Sequence, residues 1–271
     1  MSEEKNAEYI LGVNLKELKR LEFQNGVWRN VTNDFITRCG LTKGMKCLDV
    51  GAGPGFVSMD LLDFVGPQGE VTALEPSQLY LEHFKDYCSN NSITNVKFIN
   101  SIVEDAELPE NYYDFIFARW VISFVPDAEL FLSKIYKALK PGGIVALMDY
   151  NYEGITRHPM TETFKEVPDA VRKYWLKGGG DPYIALRIPE LYKKLGLTLT
   201  DYKPTVLAGD KDSDVFEWAH KFFSVHFDVM AKMGAISSRE ADEMLQDWLE
   251  HRYDSNAIFY SPIVVDMAGR K

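Results

Sequence analysis

Cysteine is scarce in this chain, and its arrangement argues against two common structural devices. The three cysteines, Cys39, Cys47 and Cys88, include no Cys-x-x-Cys pair. An odd, unclustered set favours neither a disulfide framework nor a structural zinc site. Reduced thiols of this kind are typical of a cytoplasmic protein, and that is the location we expect.

Long apolar runs and an excess of positive charge are also lacking. No uninterrupted apolar run approaches the ~20 residues of a membrane span, and the acidic N-terminus is unlike a signal peptide. The 271 residues include 40 Asp and Glu against 30 Lys and Arg, a formal net charge of −10. Because such a chain is poorly suited to neutralising phosphates, we expect a small-molecule partner rather than nucleic acid or a membrane.

Short apolar runs alternate with helical segments over residues 41–150, after a helical cap over residues 1–40. In the cap, leucines recur at helical spacing at Leu11, Leu15, Leu18 and Leu21. The predicted strands are Met45–Val50, Val71–Leu74, Val96–Ile99, Phe115–Arg119 and Ile144–Asp149. The predicted helices are Phe56–Val65, Ser77–Cys88 and Ala128–Leu139, and the turn Lys140–Gly143 ends the last of them. This alternation predicts an α/β fold with a doubly wound parallel sheet.

The remaining residues are predicted as additions to a single domain that spans 1–271. Residues 151–195 and 208–256 are helical insertions, and residues 196–207 and 257–271 are edge strands that pair as an antiparallel hairpin. We expect residues 150–180 to form a loop with a short helix. A helix begins at Asp181-Pro182, Pro189 breaks it, and its successor ends near Gly196.

A glycine-rich turn between a predicted strand and helix is the most informative segment. It reads Asp49-Val50-Gly51-Ala52-Gly53-Pro54-Gly55-Phe56, at the place where open α/β sheets bind ligands. Glycines let a ligand lie against the backbone, and the helix directs free N–H groups at it. The dinucleotide-binding motif G-x-G-x-x-G has its third glycine at the position that Phe56 occupies in this chain. The spacing therefore favours S-adenosylmethionine over a pyrophosphate, although both remain open.

An acid at the end of the next strand strengthens the case for a nucleoside ligand. Glu75 lies twenty residues after Gly55. A carboxylate at this point can accept hydrogen bonds from both hydroxyls of a ribose. The alternative is an exposed acid stabilised by the dipole of the following helix.

Together these segments resemble the class I S-adenosylmethionine-dependent methyltransferases. The resemblance rests on Asp49–Gly55, Glu75, Asn95–Phe98, Phe115–Val121 and Lys140–Gly143, and it covers about residues 41–150. The sequence is most similar to the methyltransferases of ubiquinone and menaquinone biosynthesis and related small-molecule enzymes. The resemblance implies a Rossmann-like seven-stranded sheet with an N-terminal helical cap, and S-adenosylmethionine as cofactor.

The resemblance also implies roles for individual residues. The implied cofactor-binding residues are Gln24, Asp49, Gly51, Ala52, Gly53, Gly55, Glu75, Pro76, Ser101, Ile102 and Arg119. Asp49 and Gly51 are placed near the methionine amine and Gln24 near the methionine carboxylate. Many relatives carry an aspartate where this chain has Ile102, so Glu104 or Asp105 is expected to contact the adenine amine instead.

Methyl transfer from a sulfonium requires positioning and exclusion of water, and no covalent residue is obligatory. We therefore assign no catalytic base. The predicted substrate-binding residues come from strand ends, the cap and the insertions, which act as lids, and they are Trp28, Trp120, Tyr150, His158 and Asp181. Asn151, Tyr152, His220 and His226 are further candidates, although the two helical histidines suit a core edge equally well.

Several other activities lack their motifs. The segment Ala118–Val121 is not the Asn/Asp-Pro-Pro-Tyr of nucleic-acid amine methyltransferases, no Pro-Cys nucleophile occurs, and no carboxylate cluster for a metal is evident. The run Arg172–Lys177 is the only basic-aromatic hint of nucleic acid. Two alternatives remain open: an NAD-dependent oxidoreductase and a non-catalytic S-adenosylmethionine-binding partner protein. A homo-oligomer is compatible with the sequence.

Overall fold

The computed structural model describes residues 15–271, and seven strands of that range form one sheet. They are β1 (Lys46–Val50), β2 (Glu70–Leu74), β3 (Val96–Ile99), β4 (Tyr113–Arg119), β5 (Leu139–Asn151), β7 (Thr198–Thr205) and β10 (Ile263–Arg270). The order is β3-β2-β1-β4-β5-β10-β7. Strands β1 to β5 are parallel, and β10 is antiparallel to β5 and β7. The predicted α/β fold with a seven-stranded sheet is confirmed.

Helices cover both faces of this sheet. They are α1 (Leu15–Arg38), α2 (Phe56–Val65), α3 (Gln78–Asn90), α4 (Ala128–Ala138), α5 (Glu162–Lys177), α6 (Ile184–Leu195), α7 (Asp214–Lys232) and α8 (Ser238–His251). The apolar side chains form one core on each face, because strands buried on both sides are apolar throughout. The predicted cap agrees with α1 from Leu15, while Leu11 lies outside the described residues.

A second, smaller sheet was not predicted. It contains β6 (Thr156–His158), β8 (Ala208–Asp210) and β9 (Ile258–Tyr260), with β9 in the middle and antiparallel to both neighbours. The segment Ile258–Tyr260 therefore leaves the main sheet. Strand β10 pairs with β7 as predicted, but the prediction that it is an edge strand is wrong, because β10 lies between β5 and β7. Strands of three residues are too short for an alternating pattern to reveal them.

The prediction of a loop with a short helix over residues 150–180 is wrong. Helix α5 has 16 residues and buries Phe164, Val167, Val171 and Trp175 along one face. Thr161 caps it, since its side-chain oxygen accepts the Phe164 N–H. The apolar spacing of three and four residues was present, but prolines and glycines nearby masked it.

Pro189 does not break its helix, and Asp181-Pro182 does not begin it. Helix α6 starts at Ile184 and continues through Pro189 to Leu195. A proline leaves the carbonyl four residues earlier without its N–H partner. Here that carbonyl is Ala185 O, and the Tyr202 hydroxyl donates to it at 3.4 Å. Tertiary structure thus satisfies the freed group, and the helix is retained.

The carboxyl ends of β1, β2, β4 and β5 meet at one edge of the main sheet, where the candidate site lies. Helix α1 contacts α7 near this edge, and α7 also packs on β8, β9 and α8. A buried ion pair of 2.9 Å between Arg157 and Asp247 joins β6 to α8. The two insertions therefore form one packed body beside the strand ends. Within residues 15–271, no helix is long and apolar enough to span a membrane.

Candidate active site

The glycine loop between β1 and α2 is held in left-handed backbone conformations. Gly51, Gly53 and Gly55 have φ values of 66°, 55° and 87°, a region that side chains disfavour. A Cβ at Gly51 would lie 2.4 Å from Val121 Cγ2, and one at Gly55 would lie 2.3 Å from Phe84 Cγ. A Cβ at Gly53 would meet no atom within 4 Å. The first and third glycines thus permit close packing, while the middle one borders open space.

Glu75 fixes the loop from the neighbouring strand. One carboxylate oxygen accepts the Gly53 N–H at 2.9 Å, and the other accepts the Ser77 N–H at 2.8 Å. Burial raises the pKa of Glu75, although both backbone hydrogen bonds oppose this shift. The acid is therefore integral to the turn, which argues against an exposed acid that only complements a helix dipole.

Asp49, which is buried, and Arg119, which is partly buried, carry opposite charges at the ends of β1 and β4. Burial raises the pKa of Asp49 to about 7, against a hydrogen bond of 2.6 Å from the Ser58 hydroxyl. Burial likewise lowers the pKa of Arg119 to about 10. The Arg119 guanidinium donates to Thr32 and Asn25 of α1 and lies 4.8 Å from the Trp120 ring centre. Arg119 therefore anchors the cap helix on the strand ends.

A cavity of about 470 Å³ follows the loop. The predicted cofactor-binding residues that line it are Gln24, Asp49, Gly51, Ala52, Gly53, Glu75, Pro76, Ile102 and Arg119. Gly55 and Ser101 do not line it: Gly55 packs on Phe84, and the Ser101 hydroxyl bonds to the Ile102 carbonyl. Of the two acids predicted to contact the adenine amine, Glu104 lines the cavity and Asp105 does not. The structure thus brings most of the predicted set together.

A second cavity, of about 50 Å³, lies beside the first and shares Gln24, Trp120 and Phe124 with it. Its other lining residues come mostly from the insertions, and they are Arg20, Tyr150, Tyr152, Ile155, Trp175, Trp218, Ala219, Phe222, Phe223, Phe259 and Pro262. This volume corresponds to a few water molecules. Without movement of side chains, it admits only a narrow or flat group.

Trp120 forms the partition between the two cavities. It follows β4 with a φ of 55°, a left-handed backbone conformation that is uncommon for a bulky residue. Its ring stacks on Tyr150 at 6.0 Å and meets Trp28 edge-on at 5.7 Å. Trp28 itself is fully buried behind Trp120 and lines neither cavity.

Five other candidates line neither cavity, and they are Asn151, His158, Asp181, His220 and His226. His158 is exposed on β6. Asp181 binds the Tyr183 N–H and forms an ion pair with Arg187. His220 accepts the Trp248 indole N–H. Burial lowers the pKa of His226, which stacks on Phe222, to about 4.

Sequence reasoning missed several lining residues. Arg20 of α1 is buried, with two hydrogen bonds to Glu17 and one to Gln24. Trp175 belongs to the basic-aromatic run Arg172–Lys177, and Trp218 lies on α7. Neither residue is among the predicted site residues. Only the buried side of an amphipathic helix was visible in the sequence, and the sequence does not distinguish a core from a cavity wall.

The first cavity fits S-adenosylmethionine. It offers a floor without side chains at Gly51 and Gly53 and buried carboxylates at Asp49 and Glu75, so an amine and a ribose diol each have an acceptor. Among residues 15–271, no group of three or more His, Cys, Asp or Glu side chains is placed to hold a metal ion.

The raised pKa of Asp49 predicts pH-dependent cofactor binding. The carboxyl is largely protonated below about pH 7, and the protonated form cannot pair with the ligand ammonium. We expect the affinity for S-adenosylhomocysteine to fall about tenfold from pH 8 to pH 6, with proton release on binding near neutrality. Calorimetry in buffers of different ionisation enthalpy measures both quantities. Asp49→Asn, the control, should remove this dependence. An affinity that is constant or higher at pH 6 in the parent chain would contradict the assignment.

Comparison with known proteins places the chain in a family. Residues 41–211, more than half of the chain, match the family described as "Methyltransferase domain". Over 145 residues the chain is 32% identical to the demethylmenaquinone methyltransferases of Staphylococcus aureus strains JH9 and Newman. This alignment covers 53% of this chain and 55% of each relative. The chain thus spans about half the length of the curated relatives it matches.

Solved structures share the fold at low sequence identity. A putative methyltransferase from Bacillus halodurans superposes with a TM-score of 0.60 at 15% identity, over 88% of this chain and 97% of that one. A putative sarcosine dimethylglycine methyltransferase from Galdieria sulphuraria gives 0.56 at 18% identity, over 90% and 84%. The family match, the relatives and the glycine loop lead to one assignment: the chain belongs to the methyltransferase-domain family, among the class I S-adenosylmethionine-dependent methyltransferases.

Proposed function

We propose that this protein transfers a methyl group from S-adenosylmethionine to a small, partly apolar, flat metabolite. The observation that carries this proposal is the junction of the two cavities at Gln24, Trp120 and Phe124. With the methyl donor in the larger cavity and the methyl acceptor in the smaller one, the methyl group would pass between them at that junction without crossing solvent. Proximity and exclusion of water are the main requirements of in-line methyl transfer.

Each end of the larger cavity offers groups suited to one part of the cofactor. In the proposed arrangement, Glu75 accepts from the ribose hydroxyls, Asp49 pairs with the methionine ammonium, and Gln24 donates to the methionine carboxylate. Glu104 takes the place of the aspartate that the family pattern puts at Ile102, because it lines the same end of the cavity. When bound, the cofactor supplies an electrophilic methyl group on a sulfonium.

The insertions are proposed to select the acceptor within one domain. Residues 151–195 and 208–256 provide most of the second cavity's wall, including Trp175, Trp218, Phe222 and Phe223. Aromatic walls favour flat apolar groups. The name of the Staphylococcus relatives, demethylmenaquinone methyltransferase, supports a small-molecule acceptor. The net charge of −10 and the three buried, unpaired cysteines support a cytoplasmic enzyme whose acceptor is not nucleic acid.

Ligand binding and turnover together test this proposal against its alternatives. We expect S-adenosylhomocysteine to raise the unfolding temperature, since it binds the folded state, and NADH to have no effect because Phe56 replaces the dinucleotide glycine. We also expect S-adenosylmethionine labelled in its methyl group to transfer label to a compound in a fractionated metabolite extract. Stabilisation by NADH alone would favour an oxidoreductase. Cofactor binding with no labelled product and constant capture of one protein would favour the non-catalytic partner.

A further inference from the structure

A buried carboxylate near the end of β5 lines neither cavity. Asp149 is fully buried, and burial raises its pKa to about 6, so the group is mostly ionised at neutral pH. Its Oδ2 accepts the Ser123 N–H at 3.1 Å, and its Oδ1 accepts the Tyr150 N–H at 2.8 Å. The Val121 N–H also favours the charged form. A buried charge persists in a fold only where such bonds satisfy it, so this carboxylate constrains the segment that donates them.

The bonded segment separates the two cavities. It comprises residues 120–124, which we call the β4 turn. Trp120 begins the turn in a left-handed backbone conformation, and a bulky residue keeps such a conformation only where its surroundings fix it. Trp120 and Phe124 line both cavities, and Val121 lines the larger one. The Asp149 carboxylate therefore fixes the backbone that lies between the proposed sites of the methyl donor and the methyl acceptor.

The β4 turn also holds the end of helix α5. The Ser123 carbonyl accepts the Asp181 N–H at 2.8 Å, and a Cβ added at Gly180 would lie 2.2 Å from the same oxygen. The Phe124 ring packs on the Trp175 ring of α5 with 5.1 Å between the ring centres. The Trp175 carbonyl accepts the Gly180 N–H at 3.0 Å. A shift of the β4 turn would therefore move Trp175, which lines the second cavity, relative to the first cavity.

We propose that Asp149 is a positioning residue for methyl transfer, and that its carboxylate aligns the wall of the second cavity with the first cavity through the β4 turn. This inference rests on the proposed function. In-line transfer depends steeply on the distance and angle of attack, so a displacement of this wall by about 1 Å would reduce the rate by about 100-fold. Cofactor binding depends chiefly on the glycine loop and on Glu75, and it should change much less.

The kinetics of Asp149→Asn test this inference. The amide would place its NH₂ group against the Ser123 N–H or the Tyr150 N–H, so one of the two bonds is lost. The acceptor used is the fraction of the metabolite extract that takes up labelled methyl groups in the parent reaction. We expect the apparent kcat to fall by about 100-fold and the KM for S-adenosylmethionine to change by less than about threefold. A parent-like kcat, or a raised KM at an unchanged kcat, would overturn the inference.

Asp266→Asn is the matched control. Asp266 of β10 is also fully buried, and burial raises its pKa to about 6 as well. It accepts a hydrogen bond from Arg38 of α1 and lines neither cavity. This variant should lose stability, as Asp149→Asn does, but keep the parent's kcat. Equal losses of kcat in the two variants would reflect a general weakening of the sheet and would overturn the role of Asp149.

A second variant decides the question if Asp149→Asn does not fold. Gly180→Ala brings a Cβ against the Ser123 carbonyl, and kcat should fall by about tenfold while S-adenosylhomocysteine still binds. Its control, Gly69→Ala, brings a Cβ to 2.7 Å from the Met45 carbonyl at the opposite end of the sheet and should lower stability alone. A parent-like kcat in Gly180→Ala would refute the alignment. Failure of the parent chain to transfer label refutes the proposed function, whereas transfer that these variants do not slow refutes only this inference.

Discussion

Gly51→Val should reduce the affinity for S-adenosylhomocysteine by about 100-fold or more, the largest effect that we expect from one substitution. The added Cβ would lie 2.4 Å from Val121 Cγ2 at a φ of 66°. A β-branched residue is strongly disfavoured in that conformation. The loop must therefore leave the geometry that opens the cavity floor. Calorimetry on the folded variant measures the loss.

Two further variants separate the steric contact from backbone strain. Gly142→Ala also adds a side chain at a left-handed glycine, with a φ of 81° and no atom within 4 Å, in β5 and outside both cavities. It should lose stability but bind the cofactor as the parent chain does. Val121→Ala removes the atom that conflicts, so combining it with Gly51→Ala should recover part of the affinity that Gly51→Ala alone loses. Parent-like binding by Gly51→Val would refute the placement of the ligand on this loop.

Glu75→Gln is expected to weaken the binding of S-adenosylhomocysteine by about 100-fold. The two proposed hydrogen bonds from the ribose hydroxyls to the charged carboxylate are each worth about 1.5–3 kcal/mol. The amide cannot accept at both ends. Its NH₂ would face either the Gly53 N–H or the Ser77 N–H, donor against donor. The stability of the loop and the affinity for the ribose should therefore fall together. Calorimetry measures the affinity, and an unfolding curve measures the stability.

Glu70→Gln is the matched control for Glu75. Glu70 begins the same strand at its opposite end and forms a surface ion pair with Lys97. Exposed pairs contribute little, so this variant should keep the parent's affinity and nearly all of its stability. If both variants lost affinity equally, the effect would reflect a general weakening of β2 rather than a ligand contact.

The cofactor half of the site was predictable because its signals are local. Gly51, Gly53 and Glu75 stand at fixed distances from apolar strands, and parallel strands bring such turns to one edge. The positions of β1 to β4 followed from short apolar runs for the same reason. Asp49, Gln24 and Arg119 came instead from a family resemblance, and the structure places all three in the wall of one cavity.

The acceptor half was much less predictable, because distant segments build it. Trp175 and Phe223 lie on separate helices, α5 and α7, and only tertiary packing of these helices brings them to one cavity. The predictions for Trp120 and Tyr150 rested on strand ends and agree with the lining, whereas His158 and Asp181 rested on proximity along the chain. Pro189 shows a second cause: a distant hydroxyl, that of Tyr202, decides whether a local helix breaker acts as one.

The position of Gln24 has a consequence for the order and strength of ligand binding. Its side chain lines both cavities and is hydrogen-bonded to Trp218 of the second insertion. A ligand that favours one placement of this amide changes the affinity of the neighbouring cavity. Thermodynamic linkage then requires the effect to be reciprocal and equal in magnitude. We therefore expect the methyl donor and the methyl acceptor to bind cooperatively. The same coupling should affect the release of the two products.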